Sequence, residues 1–222
     1  MQDLHRYSRP MPDALLQLTQ GAPAAALILA LMVGASLYAL YRSPALLDRH
    51  LLRPYWLLPR KQYATVITSG FLHADLPHLL FNAFTFWAFG FSLERAIGTP
   101  TFVALYAFGL VASAAGTWLA HRHQRDYASL GASGAILAVL FASIVHTPTQ
   151  SIFIFPLPLP IPAPLFALLY LGFTIYAAKR PLPGKHSRIN HDAHLAGAVA
   201  GVVFVLLTDA AAFGRAWRQV VG

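Results

Sequence analysis

The chain has no cysteine and very little charge. None of its 222 residues is Cys, and only 11% are Asp, Glu, Lys or Arg, against about 25% in ordinary soluble domains. Without thiols there is no disulfide framework, no metal–thiolate centre and no cysteine nucleophile. A soluble helical protein would show a polar face along most of its helices, and this chain does not. Sixteen Lys and Arg against eight Asp and Glu give a net charge of +8. The basic residues lie between apolar runs and form no aromatic-studded stripe, so nucleic acid is not an expected partner. Anionic lipid headgroups are.

What is present is hydrocarbon. Hydrophobic residues make up 57% of the chain and the mean hydropathy is +0.55. A bilayer core near 30 Å takes roughly 17–25 apolar residues per helix. By that measure there are six expected spans, 22–41, 76–94, 101–120, 129–146, 163–179 and 191–209, all free of internal Lys and Arg. The first is longer than a signal-peptide core of about 7–15 residues and reads as a retained span. The expected organisation is a short tail (1–21), a six-span all-α membrane domain (22–209) and a short C-terminal tail (210–222). The longest connection, 42–75, mixes Tyr55, Trp56 and leucines with Arg53, Arg60 and Lys61, which suits a segment lying in the interface. Alternate prolines over 156–164 remove backbone donors and predict an extended spacer, neither helix nor ladder strand. Residues 179–188 form a short polar loop. No internal repeat is evident, which counts against an inverted-repeat transporter.

Polar side chains inside apolar spans are costly and mark sites. In the second span Asp75 and Pro77 make a plausible helix start. His78 and Asn82 then lie four apart on one face. The pair lacks the ligands of a zinc or iron centre. In the fourth span Ser133 sits within Gly131-Ala132-Ser133-Gly134 near a helix start, where free backbone N–H groups can stabilise an oxyanion. In the sixth, His194 precedes Gly197 and Gly201 on a small-residue stripe that permits close helix approach. Packed on the start of the fourth span, that stripe brings His194 to Ser133 as a general base. Asp192 points to another face and Asp209 is remote, so a Ser–His dyad is expected rather than a triad. His191 is the competing base.

These residues in this order resemble the rhomboid family of intramembrane serine proteases. The likeness runs over roughly 63–205, through Phe71-Leu72-His73-Ala74, His78, Asn82, Glu94-Arg95, Gly98, Gly131-Ala132-Ser133-Gly134, Ala193-His194, Gly197 and Gly201. It implies a six-helix bundle with a water-filled cavity, Ser133 as nucleophile and His194 as base. It also implies an oxyanion hole from His78, Asn82 and the Ser133 N–H, with Gly131 counted among the substrate-binding positions. The 42–75 connection would be a partly embedded hairpin, and the fifth span with the 180–190 loop would gate entry. Substrates would be transmembrane segments of other proteins, with no metal or organic cofactor. The compartment implied is a bacterial inner membrane.

Two positions depart from the family pattern. Leu137 stands where many members carry an aromatic that stacks on the catalytic histidine, and Trp56 is followed only later by Arg60 instead of by an adjacent arginine. The usual family topology also puts five Lys and Arg on the cytoplasmic side and eleven on the other, against the positive-inside rule. The alternatives to a protease are a catalytically silent relative that binds membrane proteins and, from another class, a small transporter.

Overall fold

The computed structural model describes residues 20–154, 157–179 and 190–222. The tail before residue 20 and the expected loop beyond Lys179 lie outside the described residues. The order is α1 (Pro23–Tyr41), α2 (Ala45–His50), α3 (Pro54–Leu57), α4 (Thr65–Thr68), a 3-10 turn (Ser69–Phe71), α5 (Leu76–Ile97), α6 (Thr99–His121), α7 (Ser133–His146), β1 (Ser151–Ile154), β2 (Leu157–Pro162), α8 (Ala163–Lys179), α9 (His191–Thr208) and α10 (Ala211–Val221). Four helices, α1, α5, α6 and α9, are long and apolar enough to cross a membrane, and α7 and α8 are shorter apolar helices.

Helix α7 is apolar all round, and Gly134 to Ile144 are buried without interruption. Such a helix belongs in a core, and α5, α6 and α9 pack around it. α1 leans on α5, and α8 on α9. The outer faces carry Leu31, Phe81, Trp87, Phe108, Leu168 and Leu207, all at least 40% exposed. This inverts the polar-out rule of soluble proteins and suits contact with lipid chains.

The helix starts follow from their caps. The Asp75 carboxylate accepts from the His78 N–H at 2.8 Å, and Asn190 Oδ1 accepts from the Ala193 N–H at 3.0 Å. α1 has no side-chain cap of its own. Instead the fully buried Glu94 of α5 accepts from the Ala24 and Ala25 N–H groups, at 3.1 and 2.6 Å, and from Thr99 Oγ1 at 2.7 Å. A carboxylate placed on the free donors of a helix start satisfies them and meets the positive end of the dipole. One residue thereby ties α1, α5 and α6 together.

Two sequence expectations need correction. The span placed over 129–146 is helical only from Ser133, about 21 Å of helix, and 129–132 precede it without regular structure. The proline-rich connector is a strand after all, since β2 pairs antiparallel with β1 (Ile152 opposite Ile161, Phe153 opposite Pro160), adding a hairpin to an otherwise all-α fold. The reason is parity. Ala163 N–H donates to the Gln150 carbonyl at 3.0 Å, so Ile161 faces β1 while Pro160 and Pro162 turn their missing donors to the free edge. The 42–75 connection, expected to lie in the interface without crossing, folds into three short helices and a 3-10 turn. The C-terminal tail is helix α10, with only Ala212 buried and Trp217, Val220 and Val221 exposed.

Candidate active site

The site is assembled where non-helical backbone reaches the start of α7. Ser129 and Leu52 exchange both backbone hydrogen bonds at 3.0 Å, and the Gly131 N–H donates to the Ser69 carbonyl at 2.9 Å. Non-helical backbone at membrane depth persists only where protein satisfies its polar groups, and the 42–75 segment does that here. Gly131 has φ +130°, and an added Cβ would lie 2.6 Å from His78 Cε1. Backbone conformation and space both require glycine. Its N–H is committed to Ser69, and its missing Cβ admits the His78 ring.

His73 fastens the next residue. It is fully buried. Ser36 Oγ lies 3.1 Å from the Phe71 carbonyl and 3.0 Å from His73 Nδ1, and the Ala132 N–H reaches His73 Nε2 at 3.4 Å. One proton arrangement satisfies all three contacts. Ser36 donates to Phe71, Nδ1–H donates to Ser36, and Nε2 accepts from Ala132. That arrangement needs a neutral ring. Burial first, then the neighbouring His78, lowers the His73 pKa to about 3, with Asp75 opposing.

Ser133 is the first residue of α7, so its N–H has no intrahelical partner. Its Oγ lies 2.7 Å from His194 Nε2, and both side chains are partly exposed. The small-residue stripe allows this approach, since a Cβ on Gly197 would stand 2.0 Å from the Gly134 carbonyl oxygen. The other ring nitrogen, Nδ1, lies 3.0 Å from the Tyr170 hydroxyl of α8, and the Tyr170 ring packs on Phe166 and Phe141. With Nε2 accepting from the serine, Nδ1 carries the proton and Tyr170 accepts it.

The competitors fall away by position. Asp192 faces His121, Oδ2 to Nε2 at 3.0 Å, and Tyr127 stacks on His121 with ring centroids 3.6 Å apart. Asn190 Nδ2 donates to Thr117 Oγ1 at 2.8 Å. These contacts hold the start of α9 against α6. His191 sits against Phe173 with its ring centroid 6.3 Å from that of His194. On the other side of Ser133, the His78 ring covers Gly131 and Asn82 is buried nearby, its Nδ2 without a hydrogen-bond partner among the described residues. An unpaired buried donor costs about 1–3 kcal/mol, and such exceptions call for an explanation. A cavity of about 30 Å³ lined by Ser69, Ser113, Ser133 and Asn190 lies beside the serine, polar and large enough for one water.

The sequence reading missed His73 as an anchor and Tyr170 altogether. His73 and His78 are five apart and share no helix face. Tyr170 is one of several aromatics in an apolar run and carries no periodic mark.

Fold and site together define a polytopic helical membrane protein with a serine–histidine pair at a broken-helix start. The chain belongs to the rhomboid family, since the rhomboid-domain family model matches residues 60–210, and it is accordingly an integral membrane protein. Among curated proteins it is similar to the mouse mitochondrial presenilin-associated rhomboid-like protein (29% identity, 77% of this chain, 45% of the relative). It is also similar to rhomboid protease GluP of Bacillus subtilis (27% identity, 72% of this chain, 29% of the relative). A third relative is the mitochondrial RHOMBOID-like protein 12 of Arabidopsis thaliana (27% identity, 63% and 44%). The chain thus spans less than half the length of these relatives.

Proposed function

We propose that the protein is an intramembrane serine endopeptidase that cuts transmembrane segments of other proteins with a Ser133–His194 dyad. The observation that carries this reading is the 2.7 Å contact between Ser133 Oγ and His194 Nε2, on a ring whose far side is held by Tyr170. His194 takes the serine proton as Oγ attacks the scissile carbonyl, then returns it to the leaving amine. The carbonyl oxygen gathers negative charge as the tetrahedral intermediate forms. The Ser133 N–H, Asn82 Nδ2 and His78 are the donors for it. Asn82 Nδ2, unpaired in the resting fold, gains its partner only with substrate. Water then attacks the acyl-serine ester with His194 again as base, releasing the new carboxylate. A hydrolase of this kind needs no metal or organic cofactor. The break in the fourth span supports the substrate assignment, because it sets the nucleophile among lipid-facing helices.

The test is labelling of the purified chain with a serine-directed fluorophosphonate, with cleavage of a model membrane substrate in parallel. Wild type labels and cleaves; Ser133→Ala and His194→Ala do neither. Equal labelling of Ser133→Ala sinks the assignment, and a wild type that binds the substrate without labelling or cleaving it points to a silent relative. Reporter fusions in the 122–128 loop settle which side of the membrane the site faces.

A further inference from the structure

A second polar cavity, of about 550 Å³, opens between the 42–62 segment and the loop that follows α6. Arg49, Arg53, Arg60 and Arg125 line it, against the carboxylates of Asp48 and Asp126. Among the described residues only Arg53 is neutralised, by Asp48 at 2.6 Å. Among the described residues Arg49, Arg60 and Arg125 have no carboxylate partner. Arg60 and Arg125 instead share one aromatic ring. Their guanidinium carbons lie 3.8 and 5.4 Å from the Trp56 ring centre, and Arg125 is also 5.4 Å from that of Tyr55. Stacking on an indole fixes a guanidinium's plane yet leaves its edge N–H groups free to donate.

We propose that this cavity binds the phosphate group of an anionic phospholipid. The chemistry is that of preoriented guanidinium groups facing a phosphate diester. The setting favours a lipid over free phosphate. Tyr55 and Trp56 are residues of the membrane interface, and Leu58, Tyr63 and Ile67 nearby are 53%, 55% and 43% exposed, an apolar path for acyl chains. Occupancy has a structural reach. Arg53 adjoins Leu52, Arg125 lies four residues before Ser129, and Leu52 and Ser129 form the bridge that holds the segment leading to Ser133. A phosphate spanning Arg60 and Arg125 clamps the two segments that this bridge joins.

The experiment is native mass spectrometry of the full chain released from mild detergent after equilibration with phosphatidylglycerol or phosphatidylcholine. It is run for wild type, Arg60→Gln/Arg125→Gln and the charge-matched control Arg42→Gln/Arg218→Gln, with far-UV circular dichroism melts confirming the fold. Wild type and control retain phosphatidylglycerol in preference to phosphatidylcholine, and the Arg60/Arg125 variant retains it about thirtyfold less well. Equal loss in both double variants, or no preference in wild type, overturns the site. Inorganic phosphate at millimolar concentration leaves the bound lipid in place; its displacement would make this a free-phosphate site and overturn the lipid assignment. Because the readout is binding, the proposal and the protease reading fail independently.

Discussion

Gly197→Ala tests whether helix contact, rather than the dyad residues alone, builds the active site. Gly197 is one turn beyond His194 on α9 and faces Gly134, which follows Ser133 on α7. An added Cβ would lie 2.0 Å from the Gly134 carbonyl oxygen, 2.7 Å from its carbon and 2.9 Å from its Cα. A carbon approaches a carbonyl oxygen to no less than about 3.3 Å. All three atoms are backbone, so no rotamer relieves the overlap and the helices must separate by about 1.3 Å. The dyad contact is 2.7 Å; carried along with the helix, it passes the limit at which a hydrogen bond exists. Misplacement of about 1 Å costs roughly a hundredfold in rate. Overpacking costs about 1–3 kcal/mol, of which the better helix propensity of alanine returns about 0.5–1 kcal/mol. The expected result is a hundredfold slower fluorophosphonate labelling with a modestly lowered melting temperature. Gly172→Ala on α8, where a Cβ meets nothing within 4 Å, labels as wild type. Labelling of Gly197→Ala within threefold of wild type would refute the argument that this contact sets the dyad.

Two further outcomes follow from the site. Tyr170→Phe removes the acceptor for His194 Nδ1 but keeps the ring against Phe166 and Phe141, and an unpaired buried N–H costs about 1–3 kcal/mol. Turnover should fall about 10- to 100-fold with KM unchanged and the melting temperature lowered by a few degrees, and wild-type turnover would remove Tyr170 from the machinery. His73 is held neutral with its pKa lowered from 6.5 to about 3, so between those values the unfolded chain binds the extra proton. Its contribution to stability is complete above pH 6.5 and declines by up to about 1.4 kcal/mol per unit as the pH falls towards 3. Circular dichroism melts between pH 7 and 4 should show that slope in wild type and a shallower one in His73→Gln; identical slopes would show that another group titrates.

What was legible in the sequence was whatever repeats at helical spacing. His78 with Asn82, and His194 with Gly197 and Gly201, are spaced so that a helix must align them, and the structure brings both sets to Ser133. What was not legible depends on where separate segments meet. Tyr170 reaches His194 only because α8 leans on α9, and it holds the ring through a hydrogen bond at Nδ1, where family members with an aromatic at position 137 hold it by stacking. The adjacent Trp-Arg pair absent from the first connection is likewise remade in space, with Arg60 and Arg125 both on Trp56. Alternating prolines read as a spacer because the missing donors were counted without regard to which edge they face.

The early start of the fourth span has the widest consequence. A helix begun at residue 129 would leave the N–H groups of 129–132 free and spend the Ser133 N–H on the carbonyl of Ser129. Starting at Ser133 frees that donor, but it also leaves non-helical backbone where water is scarce. The 42–75 segment resolves the conflict. Leu52 pairs with Ser129, Ser69 takes the Gly131 N–H, and His73 takes that of Ala132. Each of these contacts joins residues about sixty or more apart in the chain, so no local pattern announces them. The helices set the position of the base, while the long first connection, on this argument, is what keeps the nucleophile's backbone donor available.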